Sequence, residues 1–256
     1  MTCILNEYKR GGCASCSPQC AYKIAIDGRQ KAARIPSDYR AFTLANTPVK
    51  SSHAKIYETL QKYAATFERM FDENEPRIKS LYLYSANPGT GKTTSATTLA
   101  NEWIIESFRG AAIRNIPAEM EPAYFLDVNE WQSLFNKFNR RNVPESTAKP
   151  ASADYYARLT KAKLAPFCVL DDVGVRSATE AFRSDLHEII NHRTVNAMPT
   201  VYTSNLPIIS PVSIDKRVDA LKPYDLQDVF DKRLADRVRD QCGVVAFGGE
   251  SKRGRR

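Results

Sequence analysis

The chain has 256 residues, 43% of them apolar and 26% charged, a balance that excludes a wholly disordered chain and a collagen-like fibre. At this length it can bury a core without disulfide staples, and no stretch approaches the roughly 18 apolar residues of a spanning helix, so no membrane partner is expected. Charge is 37 Lys/Arg against 29 Asp/Glu, a net +8 that favours polyanionic partners and says nothing of fold.

The first ten residues lack the apolar run of a secretory signal, which points to the cytoplasm. Cys3, Cys13, Cys16 and Cys20 crowd the head, whereas Cys168 and Cys242 stand alone in or beside apolar runs, as small core residues do. Four thiolates at short spacing suit a tetrahedral Zn²⁺. The two-residue gap between Cys13 and Cys16 lets both sulfurs meet one metal, and no His precedes His53. An iron–sulfur cluster would use the same ligands, and a metal-free head is the third possibility. Disulfides do not fit a cytoplasmic setting. The segment Ile35 to Lys50, with Pro36 and Pro48, reads as a connector. The expected division is therefore a metal-binding head and connector over 1–45 and a larger domain over 46–256.

From Lys55 the pattern is helical, with Ile56, Leu60, Tyr63, Phe67 and Met70 at spacings of three and four. Ser80 to Tyr84 reads as a strand. A helix follows with Ala96, Leu99, Trp103, Ile104 and Phe108 on one face, and Gly110 as its stop. Ala123 to Leu126 is the second strand, with Asp127 capping the next helix. Residues 141–152 read as a loop, Tyr155 to Lys163 as a helix and Phe167 to Leu170 as the third strand. Ser177 and Glu180 form a capping-box pattern before a helix carrying Phe182, Leu186 and Ile190. Thr200 to Thr203, a helix over Asp225 to Arg239 and a strand over Val244 to Phe247 complete the series. Strands alternating with helices predict an α/β fold with a central parallel five-stranded sheet covered on both faces.

Ala86-Asn87-Pro88-Gly89-Thr90-Gly91-Lys92-Thr93 sits between the first strand and the next helix with Walker A spacing, Ala replacing the first Gly. Small residues let successive N–H groups turn toward phosphate oxygens, and the helix start, with Thr93 and Thr94, adds its positive end. Lys92 is expected to reach the β- and γ-phosphates of ATP, and the Thr93 hydroxyl to bind Mg²⁺. The methyl of Ala86 is tolerable if its φ is negative. Asp171, ending the third strand, suits Mg²⁺, and Asp172 is placed to orient or deprotonate the attacking water. The bland alternative is that the pair only caps the turn to Gly174. Asn205, at the tip of the fourth strand, can hold the lytic water or the γ-phosphate. It can equally be an Asn-Leu-Pro turn.

Walker A, Leu170-Asp171-Asp172-Val173-Gly174, Ile189-Ile190-Asn191-His192-Arg193 and Pro199-Thr200-Val201-Tyr202-Thr203-Ser204-Asn205-Leu206 occur in this order. Together they resemble the DnaC/DnaI family of AAA+ helicase loaders, over about residues 50–253. IstB-type transposition helpers share this core. The resemblance implies a P-loop ATPase of the AAA+ type that assembles as a homo-oligomer with ATP. Arg237, in the Asp231-to-Arg237 box, would be a finger completing a neighbour's site, with Arg233 as fallback because Asp236 stands where the family has a small residue. Arg253 would be a sensor on the nucleotide. The replicative helicase is implied as partner, and a zinc-bound head as its docking module. Single-stranded DNA is the second implied partner. Tyr155, Tyr156, Arg158, Lys161 and Lys163 put aromatics and bases on one helix, which would stack and neutralise a strand. The bland alternative is a surface helix with its tyrosines against the core. A transposition helper and a small-molecule P-loop kinase are the rival functions. The Cys-rich head counts against the first, and Asp171-Asp172 with the Thr-Ser-Asn strand end against the second.

Overall fold

A computed structural model describes residues 17, 19–174, 178–209 and 225–251. The chain divides into two compact units. The first holds the described residues up to Ile78, with Thr93–Phe125 and Ala165–Val169. The second holds Lys79–Lys92, Leu126–Leu164 and the described residues from Leu170 onward.

In the first unit, α1 (Ala21–Ala32) leads through a 3-10 turn at Ser37–Tyr39 to α2 (Ala54–Ala64), a second 3-10 turn at Phe67–Phe71 and most of α3 (Lys92–Arg114). Periodicity does not announce α1, because two of the three residues it buries are Arg29 and Gln30. The connector has no regular ladder, so its backbone groups need side-chain partners. The α3 side chains provide them. Asn101 donates to the carbonyls of Tyr39 and Phe42, Glu102 accepts from the Leu44 amide, and Gln30 bridges Asn101 and the Arg40 carbonyl. The helical spacing after Lys55 breaks at Ala65, and Phe67 enters an aromatic cluster instead. It meets Trp103 edge-on at 5.0 Å, and Trp103 stacks on Phe167 at 4.8 Å. Gly110 does not stop α3. It lies inside the helix, where an added Cβ would sit 2.2 Å from the Phe71 ring. The glycine is required by close packing, not by a turn.

The second unit contains β1 (Ser80–Tyr84), α4 (Val128–Asn139), α5 (Glu145–Leu164), α6 (Glu180–Val195), β4 (Thr200–Ser204), α7 (Leu226–Val229), α8 (Lys232–Gln241) and β5 (Cys242–Ala246). β2 (Ala123–Asp127) and β3 (Phe167–Asp171) have residues in both units. The sheet is five-stranded, in the order β2-β3-β4-β1-β5. β1 pairs in parallel with β4, Leu81 opposite Val201, and with β5, Leu81 opposite Gly243. β1 lies between β4 and β5, and β4 lies between β3 and β1, so the loops leaving the carboxyl ends of β1, β3 and β4 are neighbours at one edge, where α/β sheets bind ligands.

The loop expected over residues 141–152 is confined to 141–144: α5 begins at Glu145 and carries Pro150 in its second turn. The missing N–H removes one helical bond. The helix is held further on, where Tyr155 stacks on Trp131 at 4.5 Å and donates to Asp185 at 2.6 Å. The cap of α6 is Thr179, whose hydroxyl accepts from the Phe182 amide, and Ser177 lies outside the described residues. The single helix expected over Asp225 to Arg239 is two, broken at Phe230, with Asp225 and Asp231 each accepting amide bonds at an N-cap. Fully buried Arg193 binds the turn before β4. It donates to Thr200 Oγ1 at 2.8 Å and to the carbonyls of Pro199, Ala162 and Lys163.

Candidate nucleotide-binding site

The phosphate loop leaves β1 at Tyr84 and enters α3 at Lys92. Gly89 and Gly91 have φ of 72° and 103°, a region closed to most side chains, so the loop curl depends on these two glycines. Ala86 is not among the described residues with positive φ, so its methyl is accommodated. Lys92 is 8% exposed and folds back over its own loop. Its Nζ donates to the carbonyls of Asn87 at 3.3 Å and Ser85 at 3.5 Å, and to Asn205 Oδ1 at 2.6 Å. An ammonium taken out of water needs such oxygens. The structure thus joins two residues that the sequence separates by more than a hundred positions.

Asp171 ends β3 and is 7% exposed; its Oδ1 accepts from the Thr203 hydroxyl at 2.6 Å. Asp172 has a φ of 62°, which turns its side chain off the strand path. Its amide donates to Thr203 Oγ1 at 2.9 Å, and its Oδ2 accepts from Asn129 Nδ2 at 2.8 Å. Asn129 lies in the first turn of α4, fixed by the Asp127 cap that accepts from its amide. Sequence reasoning missed both Thr203 and Asn129 as site residues. The signal for Asn129 was its place just beyond the carboxyl end of β2, beside the Asp127 cap.

The turn after Asp172 and the tip of β4 interlock. The Val173 amide donates to the Thr203 carbonyl at 3.0 Å, and a Cβ on Gly174 would lie 3.0 Å from Ser204 Oγ and 3.2 Å from Leu206. Ser204 Oγ accepts from the Leu206 amide, and the Tyr82 hydroxyl donates to the Leu206 carbonyl at 2.8 Å. Burial pushes the Tyr82 hydroxyl pKa well up, so it stays a donor. Asn205 is accordingly both a turn residue and a partner of Lys92.

Beyond β5 the chain returns to the phosphate loop: the Phe247 amide donates to the Tyr84 carbonyl, and Asn87 Nδ2 donates to the Gly249 carbonyl at 3.1 Å. Arg253 lies outside the described residues. Arg237 is exposed on α8, and its guanidinium donates to Asn191 Oδ1 on α6. Asp236, the departure from the family box, pairs with Arg239 at 3.1 Å. Arg233 is also exposed.

The carboxylate of Asp171, at the end of β3, is an oxygen ligand of the kind Mg²⁺ takes, and the hydroxyl of Thr93, second residue of α3, is by its chemistry another. Thr94 is buried one position further. Of the four head cysteines, Cys3, Cys13 and Cys16 lie outside the described residues, and Cys20 is the N-cap of α1. Among the described residues no group of three or more His, Cys, Asp or Glu could hold a metal. No described helix is long and apolar enough to cross a membrane.

The helix expected to meet DNA is largely committed to the fold. Tyr155 is fully buried, and Arg158, 6% exposed, pairs with Asp154 at 2.7 Å and Glu130 at 2.9 Å. Lys163 pairs with Glu188. Tyr156, 54% exposed, and Lys161 remain at the surface.

No family model matches the chain. It is 24% identical over 176 residues to the replicative helicase loader DnaI of Bacillus subtilis, which covers 68% of this chain and 48% of that protein. The chain therefore spans about half the length of the curated relative it matches. The crystal structure of DnaI superposes with a TM-score of 0.52 at 22% identity, over 88% of this chain and all of the other. That of the DnaC helicase loader gives 0.52 at 17% identity, over 83% and all. A putative primosome component from Streptococcus pyogenes gives 0.51 at 18% identity, over 93% and all. The chain resembles DnaC/DnaI-type helicase loaders, and its fold is the one those structures share.

Proposed function

We propose that the protein is an ATP-dependent loader of a replicative helicase, acting in the cytoplasm during DNA replication. One observation carries this reading above the others: Lys92, Asp171, Asp172 and Asn205 converge at one edge of a sheet arranged as in DnaI and DnaC. Convergence of these four side-chain types suits hydrolysis of a phosphoanhydride. Asn87, Pro88, Gly89, Thr90 and Gly91 would line the phosphates, with Lys92 exchanging its carbonyl partners for phosphate oxygens. Thr93 and Asp171 would hold Mg²⁺, which when bound draws charge from the β- and γ-phosphoryl oxygens.

Asp172 would take the proton of the attacking water, with Asn129 holding its carboxylate in place. Asn205 would keep Lys92 aligned and offer its amide toward the γ-phosphoryl group. Arg237 of one protomer would complete the site of the next in an ATP-bound homo-oligomer, since an always-charged fork can stabilise spread phosphate charge in trans. Arg253 would read the bound nucleotide from the carboxyl tail, a role supported by the return of Gly249 to Asn87. The head over 1–45, with Cys3, Cys13, Cys16 and Cys20 around Zn²⁺, would dock the helicase, leaving 46–256 as the ATPase. Single-stranded DNA would meet Tyr156 and Lys161 rather than the buried Tyr155 and Arg158.

The test is size-exclusion chromatography with the replicative helicase, with and without ATP and Mg²⁺, repeated after metal removal. Nucleotide-dependent co-elution is expected, lost when the head is stripped. Absence of co-elution in every condition, with ATP turnover intact, would refute the loader role and leave an ATPase with another client.

A further inference from the structure

Thr203 stands where three backbone and side-chain groups of the acidic turn converge. Its hydroxyl lies 2.6 Å from Asp171 Oδ1 and 2.9 Å from the Asp172 amide, and its carbonyl accepts from the Val173 amide at 3.0 Å. The side chain is 1% exposed. The direction of each bond is dictated by chemistry. An amide N–H can only donate, and an ionised carboxylate can only accept. The single hydroxyl proton must therefore point at Asp171, while a lone pair takes the Asp172 amide. Such a one-way chain of bonds polarises each member.

We infer that Thr203 is a positioning residue that sets both carboxylates of the site through this one hydroxyl. On the Asp171 side, its proton fixes the rotation of the carboxylate at the strand end. On the Asp172 side, it anchors the amide of a residue with a φ of 62°, a left-handed conformation disfavoured for most residues with a Cβ and more accessible to Asp, whose short side chain can bond locally. That turn takes Asp172 out of strand alternation and brings its Oδ2 to Asn129. Two consecutive strand residues would point to opposite faces; the anchored turn is what allows neighbouring carboxylates to take different tasks at one edge. The inference rests on the proposed nucleotide site, because Asp171 matters to Mg²⁺ only if that site binds it.

The experiment uses the full chain and two readouts besides turnover: binding of a fluorescent ATP analogue titrated with Mg²⁺, and thermal unfolding. Thr203→Val keeps the shape and removes the hydroxyl. It should raise the Mg²⁺ concentration for half-maximal nucleotide binding about tenfold or more, the size of one charge-assisted hydrogen bond, and lower kcat. Thr203→Ser keeps the hydroxyl and removes the buried methyl. It should lower the unfolding temperature yet leave Mg²⁺ dependence within about twofold of wild type, in keeping with preserved bonding. If the valine variant does not fold, Thr203→Ala against Thr203→Ser supplies the same contrast. Equal Mg²⁺ dependence in wild type and the hydroxyl-free variant would overturn the inference while leaving the nucleotide site standing. A serine variant as impaired in Mg²⁺ dependence as the valine variant would also overturn it, since packing would then explain both. Wild-type protein that binds no nucleotide at any Mg²⁺ concentration would refute the site itself, and the inference with it.

Discussion

Arg193 tests whether the Asn191-His192-Arg193 motif serves the chemistry or the fold. Its guanidinium is wholly buried. It donates to Thr200 Oγ1 at 2.8 Å, to the Pro199 carbonyl at 2.8 Å, to the Ala162 carbonyl at 2.9 Å and to the Lys163 carbonyl at 3.3 Å. These bonds tie the end of α5 and the end of α6 to the first residue of β4. Arg193→Met keeps most of the volume and removes every donor. A hydrogen bond from a charged group is worth about 1.5–3 kcal/mol, but the variant also avoids burying a charge. Because the Ala162 carbonyl stays buried and those of Pro199 and Lys163 partly so, the balance is unfavourable, and the expected loss is about 3 kcal/mol. Urea unfolding followed by far-UV circular dichroism reads it as a lower midpoint at unchanged slope. Below the transition, the affinity of the folded fraction for ATP should be unchanged, since none of these bonds involves the phosphate loop. A loss under about 1 kcal/mol, or ATP affinity falling with stability intact, would refute the structural assignment.

Lys92→Ala should abolish ATP binding or turnover while the unfolding midpoint moves little, measured by analogue binding and urea titration. Asn129→Ala should lower kcat without raising KM for ATP, because it removes the side-chain amide that donates to Asp172. Equal changes in both parameters would place Asn129 in nucleotide binding instead. Tyr156→Ala combined with Lys161→Glu should weaken binding of a fluorescent single-stranded oligonucleotide, read by anisotropy; unchanged affinity would remove α5 from the DNA surface. Asp231 has its pKa lowered, first by the Leu234 amide it caps and then by nearby His187. A lowered folded-state value stabilises above the ordinary carboxylate pKa and is lost as pH falls through the folded one. The stability gap between wild type and Asp231→Ala, about 1 kcal/mol at pH 7, should therefore narrow as the pH drops below the ordinary value of 3.8.

What the sequence made legible follows a physical pattern. Four strands were readable because short buried runs bounded by turn residues signal them directly, whereas β5, largely exposed, runs over Cys242–Ala246 and not over Val244 to Phe247. The phosphate loop and acidic pair were readable because phosphate and metal chemistry restrict the residue types at fixed spacing. Elements stabilised by buried polar groups were not. α1 buries Arg29 and Gln30, and the first turns of α5 carry Pro150, so neither shows an apolar stripe. Gly110 looked like a stop because glycine punctuates helices far more often than it makes room for a ring such as Phe71.

The same limit applies inside the site. Residues that would touch phosphate or metal carry recognisable motifs, whereas residues that hold them do so by threonine and asparagine bonds, types too common to stand out. Thr203 reads only as part of the Thr-Ser-Asn strand end, and Asn129 belongs to no motif. Their roles arise only when the sheet order places β3 beside β4 and α4 behind the Asp127 cap. The basic helix gave the opposite lesson. Tyr155 and Arg158 have the composition of a nucleic-acid surface, yet burial against Trp131 and pairing with Glu130 and Asp154 commit them to the core. Aromatic and basic residues at helical spacing are shared by stacking platforms and by salt-bridged packing faces. Only exposure separates them, and of that set Tyr156 and Lys161 are the exposed members.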